Sequence, residues 1–394
     1  MDSIVRKPMK IMYIIKSFAM KAGVERVMSD KMNFLDGHGY DVVLVTYEQG
    51  NHPLAFPLNP DVIHHRLDAR FFTLSCYPIW KRPYYWYKMR CSFKHGLQAV
   101  VDSEKPDIII TTTYSMKVLD IILGIKTSAH RLIESHIACY TVRKAYDYRW
   151  NPMFFRLAKL YDKYVFGKIR RFDRLIVLTA GDATDWKEYI DYVEIIPNPV
   201  TSFPDEVITH DGSGRRIIAV GRLHEQKGFD RLINAFAMVA NHCPEWHIDI
   251  YGSGDDEKML FDIIHNNGLD GKVNIFPPTN QIYEEYQKSE FFVLSSRYEG
   301  YPLVLNEAMA CGIPCVAFRC KYGPEEAIEH QVNGLLVENG NVKDLAQKIL
   351  WMTNHPEERK TMGQAARVAA QRYLLDTIMQ KWVDLFSSLT KTGE

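Results

Sequence analysis

Two glutamates, Glu299 and Glu307, mark the most chemically informative segment of this 394-residue chain. The run Phe291-Phe-Val-Leu-Ser-Ser-Arg-Tyr-Glu299-Gly-Tyr-Pro302-Leu303-Val304-Leu-Asn-Glu307 reads as strand, loop and helix. Pro302 suits the first helical turn, where its missing N–H has no role. The helix then starts at the carboxyl edge of the strand. The N–H groups of Leu303 and Val304 form an anion site there, phosphate being the usual anion. Glu299 and Glu307 are too far apart along the chain to meet one point-like metal on a helical face. They can flank an elongated ligand, and a carboxylate accepting from two vicinal hydroxyls is a sugar-binding device. Without a ligand, Glu299 would complement the helix dipole and Glu307 would belong to a solvated face. A second segment, Val220-Gly-Arg222-Leu-His-Glu-Gln-Lys227-Gly228, places two cations in a loop after a strand. Arginine supplies a fork and lysine a point charge, a pairing suited to diphosphate. The plain alternative is a solvated basic loop.

Both segments need strand ends to hold them. In the first half, apolar strands are expected at Lys10–Ile15, Asp41–Tyr47, Asp107–Thr111, Arg131–Glu134 and Arg174–Leu178. A helix over Val24–Asp36 carries an apolar stripe at Val24, Val27, Met28, Met32 and Leu35. Ile196-Pro-Asn-Pro-Val200 ends this run, and Asp205–Gly214 reads as a linker. The pattern restarts with strands at 216–220, 246–251, 272–276, 290–295, 314–318 and 334–337. Strands alternating with helices mean doubly wound parallel sheets. The expected organisation is an N-terminal Rossmann-like domain over 1–200 and a second over 201–373. An amphipathic helix over about 374–394 should pack back on the first domain. Ligands in such tandem folds are expected in a cleft at the carboxyl ends of the strands.

These residues together resemble the retaining glycosyltransferases of family 4, with the GT-B architecture of two Rossmann-like domains facing across a cleft. The resemblance rests on Glu299 and Glu307 in their Glu-Gly-Tyr-Pro-Leu-Val context, on Gly-Arg222 and Lys227-Gly, on Tyr-Gly-Ser-Gly254 and on Pro197-Asn-Pro-Val200. It implies that Arg222 and Lys227 bind the donor diphosphate, and that Leu303 and Val304 offer it backbone N–H groups. Glu307 would hold the ribose and Glu299 the transferred sugar. The nucleobase would sit near Pro277, Pro278 and Thr279. Ala22-Gly23 stands where the family has two glycines after its first strand, so Gly23 would approach the diphosphate. Glu134-Ser-His136 places His136 on the acceptor side, as a catalytic residue beside Glu299. The donor implied is a nucleotide diphosphate sugar, UDP before GDP, carrying a hexose or N-acetylhexosamine. The acceptor is a saccharide or polyprenyl-diphosphate-linked saccharide of a capsule, lipopolysaccharide or exopolysaccharide. Transfer would retain the anomeric configuration. No cofactor and no metal are expected, because the chain has no Asp-x-Asp to bridge a diphosphate to a divalent ion.

Three other readings share parts of this pattern. A nucleotide-sugar epimerase has the same architecture but needs no acceptor surface. A dinucleotide oxidoreductase would need a third glycine after Gly252-Ser-Gly254. A catalytically inactive sugar-binding subunit would keep the same residues.

Composition narrows the setting. With 46% hydrophobic residues, 12% aromatics and zero net charge, the chain is a folded globule rather than a disordered one. Residues 1–200 carry 29 Lys and Arg against 21 Asp and Glu, and the remainder carries 19 against 27. Seven cysteines without a C-x-x-C fit neither a zinc site nor a disulfide scaffold. Neither a signal peptide nor an 18-residue apolar span is legible, so a cytoplasmic protein is expected. Residues 71–94 interleave aromatics with cations and contain no acid, and Arg143–Arg174 carries ten cations against three aspartates. Such faces suit an anionic membrane, peripherally and on its inner side. No nucleic-acid recognition motif accompanies them.

Overall fold

The computed structural model describes residues 8–20, 22–143, 151–205 and 214–391. Most of the linker expected over Asp205–Gly214 lies outside the described residues, as do Lys144 and Arg149 of the basic run and residues 392–394 of the tail. The chain divides into two compact units, one of residues 1–197 with 379–394 and one of residues 198–378.

The first unit is built on a seven-stranded parallel sheet. Its strands are β1 (Lys10–Ile15), β2 (Asp41–Thr46), β3 (Ile63–Arg66), β4 (Ile108–Thr112), β5 (His130–Glu134), β6 (Arg174–Val177) and β7 (Val193–Ile195). The order is β3-β2-β1-β4-β5-β6-β7, so β1 and β4 flank the point where the chain reverses its direction across the sheet. Strands β1, β2 and β4 carry apolar runs at 11–15, 42–45 and 108–110 because helices cover both faces. The edge strands β3 and β7, Ile-His-His-Arg and Val-Glu-Ile, have no such run, and the sequence patterns miss them. Helix α1 (Gly23–Gly37) follows β1. Helices α2 (Arg82–Glu104), α3 (Leu119–Leu123), α4 (Cys139–Val142), α5 (Pro152–Ile169) and α6 (Ala180–Lys187) follow in turn. Right-handed crossovers put α1 on one face of the sheet and the later helices on the other. Contacts agree: Leu97 of α2 packs with Ile122 of α3, while Leu119 of α3 packs with Phe166 of α5. Residues 379–391 belong to this unit, and the Trp382 ring lies 3.8 Å from the Lys31 ammonium of α1.

The second unit has a six-stranded parallel sheet: β8 (Arg216–Val220), β9 (His247–Tyr251), β10 (Val273–Phe276), β11 (Phe291–Leu294), β12 (Cys315–Phe318) and β13 (Gly334–Val337). The order β10-β9-β8-β11-β12-β13 puts its reversal between β8 and β11. Helices α7 (Phe229–Val239), α8 (Glu257–Asn266), α9 (Ile282–Gln287), α10 (Leu303–Ala310), α11 (Pro324–Ala327), α12 (Val342–Asn354) and α13 (Pro356–Ala370) connect and cover the strands. The final helix, α14 (Leu375–Lys391), contains the division between the two units. A buried ion pair, Arg359 to Glu290 at 2.8 Å, ties α13 to the start of β11. Among the described residues no helix is long and apolar enough to cross a membrane.

Candidate functional site

In an open parallel sheet, ligands bind beyond the carboxyl ends of the strands where the strand order reverses. In the second unit that point lies between β8 and β11, and the two charged segments singled out in the sequence emerge there. They are bolted together. The backbone N–H of Arg297 donates to Gln226 O at 2.8 Å, and Ser295 Oγ donates to Lys227 O at 2.9 Å. The Arg297 guanidinium forks onto Asp230 of α7 at 2.8 and 2.7 Å. Between these anchors, Lys227 Nζ lies 2.8 Å from Glu299 Oε1, and Ser296 Oγ donates to the same oxygen at 2.6 Å. Glu299 is buried and Lys227 half-buried, so a charged pair is held at a loop junction rather than released to solvent.

Glycine makes the junction possible. Gly228 has φ +63°, and a Cβ there would collide with Ser295 O. Gly228→Ala therefore imposes both left-handed strain of about 1–2 kcal/mol and a backbone clash. We expect a lower melting temperature and at least a tenfold loss of activity as Lys227 moves off Glu299. Thermal melting and turnover of the same preparation check both.

Helix α10 begins beside Glu299. Of the two N–H groups expected to face an anion, that of Leu303 already donates to Tyr301 O at 3.1 Å. Val304 has no backbone acceptor among the described residues, so the anion site narrows to its N–H. One turn later, Glu307 accepts from the buried Tyr286 hydroxyl of α9 at 3.3 Å. Asn306, buried beside it, donates to the Tyr301 hydroxyl at 2.7 Å, which donates to Asn198 O at 3.1 Å. The Oδ1 of Asn306 is buried without a hydrogen-bond partner among the described residues. Arg222 is exposed in the loop after β8. Pro278 is exposed two residues past the end of the edge strand β10.

In the first unit, the reversal between β1 and β4 is followed by the start of α1. Gly23 is its first residue, exposed, with Ala22 extended before it. His136 lies just past β5 with its side chain buried. Its Nε2 is 3.3 Å from Glu134 Oε2, within ion-pair reach but not aligned as a hydrogen bond. Both ring nitrogens are buried without a hydrogen-bond partner among the described residues. The Tyr114 ring lies parallel to the imidazole, centroids 6.5 Å apart. Burial raises the carboxyl of Glu25, in the first turn of α1, with His136 acting the other way, so these elements are neighbours.

Beneath His136, Lys31 Nζ and Glu134 Oε2 are 2.7 Å apart and almost wholly buried. Burial alone would raise the Glu134 carboxyl. The Lys31 ammonium and His136 overcome that and hold it at about 2. This pair has no role in the sequence reading. One signal was available: Lys31 falls inside the buried stripe of α1 that contains Val27, Met28 and Met32, where an unpaired ammonium is not tolerated.

Two doubly wound parallel sheets, each with loops gathered at its point of reversal, define the GT-B class of proteins. A sequence family described as glycosyltransferase family 4 matches residues 22–202, and one described as glycosyl transferases group 1 matches residues 204–369. The chain belongs to the family 4 glycosyltransferases of GT-B fold. It is 28% identical over 375 residues to an uncharacterized glycosyltransferase of Haemophilus influenzae, covering 95% of this chain and 98% of that one. It is 24% identical over 389 residues to the amylovoran biosynthesis glycosyltransferase AmsD of Erwinia amylovora, covering 96% and 99%. Among solved structures it resembles a variant of Staphylococcus aureus TarM in complex with fondaparinux, alpha-GlcNAc-glycerol and UDP. That match has a TM-score of 0.74 and 17% identity over 96% of this chain and 99% of that one.

Proposed function

We propose that this enzyme transfers a hexose or N-acetylhexosamine from a UDP-sugar to a saccharide or polyprenyl-diphosphate-linked saccharide. The anomeric configuration is retained, and no metal takes part. The observation that carries the reading is the Lys227–Glu299 pair at the β8/β11 reversal, set beside the start of α10. Arg222, Lys227 and the Val304 N–H take the diphosphate. Glu299 accepts from hydroxyls of the sugar, and Glu307 from those of the ribose. Gly23 gives a diphosphate close backbone access, and Pro278 lies toward the base. As the bond from the anomeric carbon to phosphate oxygen breaks, negative charge grows on the leaving nucleotide. Preorganised cations and an N–H dipole stabilise that charge more than they stabilise the bound donor. The acceptor oxygen attacks from the same face, and its proton passes to the departing phosphate. His136, whose Nε2 faces Glu134 at 3.3 Å and whose Nδ1 has no hydrogen-bond partner among the described residues, is assigned to hydrogen-bond a sugar hydroxyl during transfer.

UDP in the TarM complex supports the choice of base. The enzyme would work from the cytoplasm, at the inner face of the membrane where lipid-linked acceptors are held. A thermal-shift panel of UDP, GDP, ADP and TDP, with and without EDTA, tests the donor. UDP at a hundred times its dissociation constant should add about 2.7 kcal/mol of stability. A shift with another diphosphate alone overturns the base. A shift abolished by EDTA overturns the metal-free site. Binding without turnover of any UDP-sugar favours an inactive sugar-binding subunit, and proton NMR of the product reads the anomer.

A further inference from the structure

Helix α5 (Pro152–Ile169) is apolar on two opposite faces. One face is buried in the first unit through Ala158, Val165, Phe166 and Ile169. The other carries Met153, Leu157, Leu160, Tyr161 and Tyr164 at spacings of three and four, which align on a single stripe. That stripe is open: Leu157 is 58% exposed, Leu160 65% and Tyr164 59%. A surface helix normally turns polar residues outward, so a second apolar stripe is out of place. Arg156, Lys159 and Lys163 line one edge of it and are exposed. The helix has one acid, Asp162, and it is on the buried side.

A similar surface lies on a second helix of the same sheet face. Asp120 of α3 receives both Arg90 of α2 and Lys168 of α5, the latter at 3.3 Å, so α2 and α5 flank α3 on one face of the sheet. At the start of α2 the same aromatic and cationic mixture recurs. Trp80 is 76% and Tyr87 70% exposed, with Lys81 and Lys88 exposed among them. The Lys81 ammonium lies 4.7 Å from the Trp80 ring centroid.

We infer that this face of the first unit lies on an anionic lipid bilayer, with α5 in the plane of the interface as the principal anchor. Leu157 and Leu160 reach the acyl boundary, the tyrosines and Trp80 sit at headgroup depth, and the lysines meet lipid phosphates. Charge complementarity decides the occupant. An apolar stripe edged by cations and free of exposed acid along its own helix fits a negative surface.

Co-sedimentation with phosphatidylcholine vesicles, with and without phosphatidylglycerol, tests this on the full chain and needs no nucleotide. The protein should pellet with the phosphatidylglycerol vesicles, and high salt should weaken that binding. The Leu157→Glu/Leu160→Glu variant should lose at least about tenfold in partitioning, as should Lys159→Gln/Lys163→Gln. Circular dichroism and an unchanged UDP thermal shift establish that both variants are folded, so failure here is distinct from failure of the donor assignment. Absence of the wild type from the phosphatidylglycerol pellet overturns the inference. Equal pelleting with both vesicle types overturns its electrostatic half. A solution dimer broken by Leu157→Glu/Leu160→Glu, without vesicle binding, assigns the face to a second copy instead.

Discussion

Glu299→Gln is expected to lower kcat/KM by roughly 30- to 1,000-fold while the protein still melts cooperatively within a few degrees of the wild type. Glutamine keeps the shape and one carbonyl oxygen, so Ser296 can still donate to it. It removes the charge that faces Lys227 at 2.8 Å and the acceptor of sugar hydroxyls. Loss of one charge-assisted contact in a dry site is worth about 2–4 kcal/mol in the transition state. At about 1.4 kcal/mol per tenfold, that spans roughly 30- to 1,000-fold. The two roles of Glu299 separate experimentally. If it served only to pair with Lys227, the melting temperature would fall and kcat for the remaining folded enzyme would hold. If it grips the sugar, UDP binding stays near normal while turnover collapses. Lys227→Ala should show the opposite division, with UDP affinity weakened as well, because its ammonium is assigned to the diphosphate. Near-normal turnover in Glu299→Gln would remove the residue from the site.

Glu134→Ala should destabilise the first unit by about 3–5 kcal/mol. The Lys31 ammonium would be left almost wholly buried against the Trp382 ring, with no carboxylate. For a unit of this size the melting temperature should fall by about 10 °C. Replacing both partners, as Lys31→Met with Glu134→Leu, should restore most of the loss, because apolar groups of similar volume need no partner. A double variant as unstable as Glu134→Ala would contradict that account. The pair also carries a pH signature. The Glu134 carboxyl, held at about 2 in the fold, would ionise near 4.3 in the unfolded chain. A depressed carboxyl contributes stability that is fully present above the unfolded value and is lost as pH falls toward the folded one. Melting temperature should decline between about pH 4 and 2 in the wild type and more gently in the double variant.

Much of the architecture is legible in the chain because its signals are local. Ile11–Ile15, Val42–Val45 and Phe291–Leu294 are apolar without interruption, and only strands covered on both faces need to be. Glycines at 221, 228 and 252 mark the strand-end turns, and Pro302 marks the entry to α10. Charged residues at those turns make Arg222, Lys227, Glu299 and Glu307 visible as candidates. The edge strands escape notice because Ile63–Arg66 and Val193–Ile195 are short and one-sided. The exposed stripe of α5 escapes for another reason. Leu157 and Leu160 have the same periodicity as core residues, and only the packing of Val165 and Phe166 on the opposite face shows which stripe is covered.

What the sequence determined by itself is the class of fold and the chemical types gathered at its strand ends. Those follow from side-chain period, glycine placement and helix entry, all set within a few residues. What only the tertiary structure decided is which charges meet. Lys227 finds Glu299 72 positions away, and Lys31 finds Glu134 103 positions away, because strand order brings β8 beside β11 and α1 over the end of β5. Ion pairing depends on distance and on exclusion of water, and neither is defined until the crossovers have closed around the sheet.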